Sequence, residues 1–144
     1  MKKLTVSSAF LPHYRLPIYS LLDLEYEIEW NVADNFRSAE GIKLIHRLPK
    51  NPIKYHTTYR VLNLYYRRGV VRSIKSETLL LIPLPNVLSD WIILIFRFVL
   101  RRKTVIWSQG LNYSDGVFKR AYKKALAGFA TDLLLYNQFS VKSF

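Results

Sequence analysis

The chemistry-bearing residues concentrate in two short stretches. The first is Phe10-Leu11-Pro12-His13-Tyr14-Arg15-Leu16-Pro17, which puts an imidazole, a phenol and a guanidinium within three positions. An imidazole titrates near neutrality and can serve as a general base, while a guanidinium pairs with phosphate or carboxylate through a planar fork. The competing reading of the same residues is structural: His13 packs in a turn, and Arg15 pairs with an acid of the Glu25–Glu29 segment. The second stretch is Trp107-Ser108-Gln109-Gly110-Leu111-Asn112. There Gln109 and Asn112 can hydrogen-bond sugar hydroxyls, and Gly110 allows close backbone approach of a ligand. Its alternative is an ordinary Gly-Asn turn over a core tryptophan. A third group, Lys119, Arg120, Lys123 and Lys124, is a cationic cluster suited to phosphates or anionic headgroups, or to plain solvation.

Other chemistries lack their residues. There is no cysteine, so disulfides, thiolate metal sites and cysteine nucleophiles are excluded. The three histidines, His13, His46 and His56, are not at metal-ligand spacing. Neither a Gly-x-Gly-x-x-Gly fingerprint, a P-loop nor a Gly-x-Ser-x-Gly elbow occurs.

The elements that must position these residues follow from the apolar pattern. Leu4–Ala9, Thr78–Ile82, Lys103–Ser108 and Thr131–Tyr136 are apolar runs of strand length, and Tyr26–Asp34 alternates like a half-buried strand near a sheet edge. Ile18–Leu24, Val87–Arg102 and Val117–Phe129 have helical spacing, with Pro17 suited to a first helical turn. On the last of these, Val117, Tyr122, Ala125, Leu126 and Phe129 form the expected core face. A short strand is expected at Ile42–His46, and a helix at Tyr59–Ser73, weakened by Gly69. Asp90 reads as a favourable charge in a first helical turn. Strands alternating with helices predict an α/β, Rossmann-like, mostly parallel sheet with helices on both faces, whose ligands gather at the carboxyl ends of the strands.

Charge narrows the partner. The chain of 144 residues carries 22 Lys+Arg against 10 Asp+Glu, a net charge of +12 divided equally between the halves before and after Arg72. This implies an anionic partner: a membrane surface, a phosphate-bearing molecule or a nucleic acid. With half its residues hydrophobic, the chain is too apolar for global disorder. The Met1-Lys2-Lys3 start lacks the continuous apolar run of a signal peptide. The run Trp91–Leu100, extended back to Val87, makes a helix of about 15 residues and ~22 Å, short of a ~30 Å hydrocarbon core.

The Pro12-His13-Tyr14-Arg15-Leu16-Pro17 loop after a first strand resembles the opening of bacterial group 1 (family four) glycosyltransferases. In the same order, Leu88-Ser89-Asp90-Trp91, Arg102–Gly110 and Ala130–Asn137 resemble later segments of that group. The resemblance implies the acceptor-side, N-terminal domain of a GT-B fold over residues 1–144. The C-terminal domain that grips the nucleotide-sugar and carries a Glu-x7-Glu-type motif has no counterpart in this sequence. It implies sugar transfer from a nucleotide-sugar donor to a glycan or lipid-linked acceptor in cell-surface polysaccharide synthesis, with this chain inactive alone. No cofactor is expected within the chain itself. His13 then takes the role of base or acceptor contact, with Tyr14 and Arg15 beside it. After this strand members of that group often show Gly-His-Gly, whereas this sequence has Ser108-Gln109-Gly110, so Gln109 carries over only as a position and not with any catalytic or phosphate-contact role of that His. The implied location is cytoplasmic, peripheral on the inner face of the plasma membrane. The alternative class is a basic nucleic-acid- or membrane-surface-binding module without catalysis, although neither an RNP-like strand nor helix-turn-helix spacing is present.

Overall fold

The computed structural model describes residues 2–34, 42–108 and 116–135. Its apolar runs form six parallel strands: β1 (Lys3–Ser8), β2 (Glu27–Ala33), β3 (Ile53–His56), β6 (Thr78–Ile82), β7 (Lys103–Ser108) and β8 (Asp132–Leu135). Between β3 and β6 lies an antiparallel hairpin, β4 (Thr58–Val61) and β5 (Leu64–Arg67). The helices are α1 (Leu16–Glu25), α2 (Val70–Lys75), α3 (Leu88–Val99) and α4 (Val117–Gly128).

The sheet order is β3-β2-β1-β6-β7-β8. The chain starts at the centre, steps outward to β3, returns to pair β6 with β1, and then steps outward the other way. Right-handed crossovers in opposite directions place helices on opposite faces. Packing shows this directly. Val6, Trp30, Leu80 and Trp107 pack with Tyr19 of α1 on one face, while Leu79, Leu81 and Ile106 pack with Val70, Ile93, Leu94 and Leu126 of the other helices. Leu80 faces one core and its neighbours the other, as strand alternation requires. The α/β, Rossmann-like architecture expected from the sequence is therefore present.

Two expected elements differ. Tyr59–Ser73 is the hairpin followed by the short α2, because Tyr59-Arg60-Val61 and Leu64-Tyr65-Tyr66 are better suited to paired strands than to a helix. Gly69, at φ +88°, then starts α2, and a Cβ there would come within 2.9 Å of the His56 ring. The Ile42–His46 segment makes only an isolated bridge, Leu44 with Pro12, and the edge strand is β3 instead.

The helices are fixed by buried polar groups. Asp23, fully buried in α1, accepts from Trp30 Nε1 (2.9 Å), the Lys50 and Asn51 amides (2.6 and 3.1 Å) and Asn51 Nδ2 (2.9 Å). Burial alone would raise its pKa, but these hydrogen bonds outweigh it and hold the carboxyl below its ordinary value. Arg97, which interrupts the apolar run of α3, is also fully buried. It donates to the carbonyls of Ser73 (2.8 Å), Ile74 (3.2 Å) and Ser76 (2.8 Å), closing the end of α2, and to Thr104 Oγ1 (2.8 Å). Burial, and then the nearby Arg102 charge, lowers its pKa to about 10, so it stays protonated at neutral pH. No helix among the described residues is long and apolar enough to cross a membrane.

Candidate functional site at the carboxyl edge of the sheet

The order in which the chain lays down its strands reverses between β1 and β6, and in sheets of this kind the crevice outside that reversal is where ligands sit. A cavity of about 580 Å³ opens there. Its floor comes from the ends of β1 and β7 (Ser8, Trp107, Ser108), one wall from Pro83–Pro85, and the opposite wall from Phe118 and Tyr122 of α4. Arg15, Lys119 and Lys123 bring three cations to it, and Tyr14 stands at its margin.

Arg15 is held rather than waving in solvent. It ends a 3-10 turn, His13–Arg15, and is only 8% exposed, with its guanidinium 4.8 Å from the Trp107 ring and 5.6 Å from Tyr14. Trp107 packs edge-on against Tyr19 (5.7 Å), and Tyr19 edge-on against Trp30 (5.5 Å), whose indole is tied to Asp23. A buried aromatic series thus connects α1 to the cavity floor. The Glu25–Glu29 segment is no partner for Arg15: Glu25 lies at the far end of α1, about 14 Å along the axis. Glu29 instead pairs with Lys54 (2.9 Å) and Arg72 (3.5 Å).

His13 is exposed and does not line the cavity, although Tyr14 and Arg15 do. Its Nδ1 lies 3.2 Å from the Lys43 carbonyl. A carbonyl only accepts, so Nδ1 carries the proton of the neutral ring and Nε2 keeps the lone pair a base needs.

Beneath the rim is a pair that the sequence reading had not joined. Asp90 does not simply favour a helix start. It is buried, with Oδ1 2.8 Å from Arg67 Nη2 and Oδ2 accepting from the Leu84 amide at 3.2 Å. Arg67 in turn donates to Ser7 Oγ (2.8 Å) and to the Ser8 carbonyl. The pair therefore ties β5, α3 and the Pro83–Pro85 wall to the end of β1. Burial pushes the Asp90 pKa up to about 6 despite the Arg67 charge. Arg67 is thus a structural cation, removed from the surface cluster its neighbours suggest.

Of the helix α4 cations, Lys119 and Lys123 line the cavity, while Arg120 and Lys124 are exposed beyond it. The expected core face of α4 is narrower than its spacing implied: Leu126 is buried, whereas Val117 is exposed. Gln109, Gly110 and Asn112 lie outside the described residues. Tyr122, Ser8 and Ser108 are cavity residues that had not been singled out. The rule that ligands meet strand ends pointed to the loops carrying the two serines, and Tyr122, expected in the core, packs against it and lines the cavity as well.

A larger groove of about 700 Å³ at the opposite, amino edge mixes Lys3, Lys54, Arg72 and Lys75 with Glu27, Glu29 and Glu77. Its charges largely compensate one another, and it lies away from the strand ends that bind ligands in such sheets. The carboxyl edge differs. Glu25, Glu27, Glu77 and Asp132 all fall at the amino edge, and Asp34 is the one exposed carboxylate at the carboxyl edge among the described residues. No group of His, Cys, Asp or Glu among the described residues could hold a metal ion.

No family model, curated protein or solved structure matches the chain.

Proposed function

We infer that this chain is the acceptor-binding part of a glycosyltransferase. It would bind a phosphate-bearing, lipid-linked glycan at an anionic membrane surface, for sugar transfer from a nucleotide-sugar held by a second domain. The observation that carries this reading is the convergence of Arg15, Lys119 and Lys123 on one cavity with aromatic walls at the order reversal of the sheet. Cations suit a phosphate or diphosphate, and Trp107, Tyr122 and Phe118 suit the apolar and sugar faces beside it. His13, with Nε2 as its basic nitrogen on the adjoining turn, is the candidate to take the proton from an acceptor hydroxyl as the glycosidic bond forms.

Titration of a short polyprenyl phosphate against the whole chain, followed by tryptophan fluorescence, tests this. The phosphate should bind and the corresponding polyprenol should not. K119A/K123A should weaken binding by about tenfold or more, since a hydrogen bond to a charged group contributes ~1.5–3 kcal/mol. Equal binding of the alcohol, or displacement of the ligand by an oligonucleotide at physiological salt, would sink the reading.

A further inference from the structure

Large apolar side chains stand exposed on α1 (Leu21, Leu24), at the end of α3 (Phe96, Phe98, Val99) and on the hairpin β4–β5, and of these the hairpin adjoins the Pro83–Pro85 wall of the cavity. Cross-strand partners share a face, so Tyr59 with Tyr66 and Val61 with Leu64 lie together on one side. On that side Val61 is 68% exposed and Leu64 51%, and the turn residue Leu62 is 86% exposed. On that face, descending from the tip, the order is aliphatic (Val61, Leu62, Leu64), then phenolic (Tyr59, Tyr66), then cationic, while on the other face Arg60 stands near the tip with its Nε donating to the Leu62 carbonyl (2.9 Å). Arg68 closes the series with its guanidinium 5.4 Å from the Tyr59 ring. Hydrocarbon, interface and headgroup of a bilayer succeed one another in the same order, with aromatic rings favoured at the interface.

The tip is also shaped against its own folding preference. Leu62 has φ +56°, a left-handed conformation that is strained for an L-residue and that Gly or Asn would adopt more readily in a hairpin turn. A bulky aliphatic held there, in water, serves no packing purpose in the chain.

We propose that the β4–β5 hairpin inserts its Val61-Leu62-Leu64 tip into the interfacial layer of an anionic membrane. This deepens, and rests on, the membrane-surface part of the preceding reading. Tyr65 and Arg67 are held to the body, so the part that stands clear is the Val61–Leu64 tip, which suits the shallow end of the ~5–10 Å depth that interfacial elements reach. Charge complementarity favours a bilayer, because Arg60 and Arg68 stand on the hairpin and, among the described residues, exposed acids are nearly confined to the other edge. The hairpin base is fixed to the cavity wall. The Tyr65 amide donates to the Asn86 carbonyl (2.8 Å), and the Arg67 amide to Ser89 Oγ (3.2 Å). Insertion therefore brings the Pro83–Pro85 rim of the cavity down to the lipid surface, where a lipid-linked headgroup would emerge. Phe118, 94% exposed on the opposite wall, is a second apolar contact on that edge.

The absence of cysteine allows one environment-sensitive fluorophore to be attached at L62C or, on the rival exposed apolar patch at the far end of α3, at V99C. With the full chain and vesicles of phosphatidylcholine with and without phosphatidylglycerol, the label at position 62 should brighten and shift to the blue only on the anionic vesicles. The label at 99 should not change. Gly tolerates the left-handed turn, so L62G should unfold at the same temperature or higher yet partition onto the vesicles about tenfold less. A solvent-like label at 62 on bound vesicles, a buried one at 99, or unchanged partitioning of L62G would overturn the proposal. So would failure of the chain to bind vesicles at all, or lipid-free self-association abolished by L62G. Loss of polyprenyl phosphate binding in K119A/K123A with insertion intact separates the cavity reading from this one.

Discussion

The two fully or nearly fully buried arginines, Arg67 and Arg97, solve one problem in different ways at opposite edges of the sheet. Arg97 at the amino edge has no carboxylate beside it. Its charge is met by carbonyls at the end of α2 and by Thr104, oxygens that the chain had to satisfy in any case. Arg67 at the carboxyl edge is met by Asp90, whose own ionisation burial opposes. The first arrangement is a fixed staple between α2, α3 and β7. The second contains a group that titrates within reach of physiological conditions, directly under the cavity rim. A carbonyl cage is indifferent to pH, whereas an ion pair is not.

The largest expected effect breaks the first arrangement. R97A leaves several buried carbonyls without donors and a cavity the size of the side chain, and should cost more than about 4 kcal/mol in urea unfolding. A loss of under 1 kcal/mol would show that water replaces the guanidinium. Next, D90A strands the Arg67 charge and the Leu84 amide and should cost about 3 kcal/mol. D90N, which keeps an acceptor oxygen, should cost clearly less. The smallest and most discriminating effect is its pH dependence. The Asp90 pKa is raised in the fold, so its contribution to stability is full below its ordinary value of 3.8 and is lost as pH rises to about 6. Unfolding of wild type and D90N across that window should therefore show wild type losing ground to D90N with rising pH, then no further change. A difference that is flat throughout would mean that the Arg67 charge cancels burial and leaves Asp90 at its ordinary value, and a wild type that gains on D90N with rising pH would mean that the Arg67 charge outweighs burial.

The parallel sheet was legible because Thr78–Ile82 and Lys103–Ser108 are continuous apolar runs that only a two-face-covered strand explains. The hairpin was not, because Val61, Leu62, Leu64 and Tyr65 over so short a run satisfy helical spacing almost as well as strand alternation. The true edge strand, Ile53–His56, hid for a related reason: only four residues long, it mixes Lys and His with two apolar residues and carries little periodic signal. In the site, Arg15 and its loop were visible from residue types at a strand end. The joining of Arg67 to Asp90 was not, since they lie 23 positions apart and meet only once β5 docks on α3. Exposure of Leu62 is likewise a tertiary fact, for in the sequence it looks like any core leucine.

The pairing of β1 with β6 sets the order in which this chain can assemble. Val6 meets Leu80 at the centre of the sheet, across a loop of more than seventy residues. The β1–α1–β2 and β6–α3–β7 units each close over short separations, so they can form early and independently. The central seam then carries the entropy of the longest loop closure and should be the late, rate-limiting contact in folding. Until it closes, the facing edges of β1 and β6 are unpaired parallel strands flanked by aromatic residues. That is the interval in which the chain is most exposed to aggregation, and slow release during synthesis would protect it.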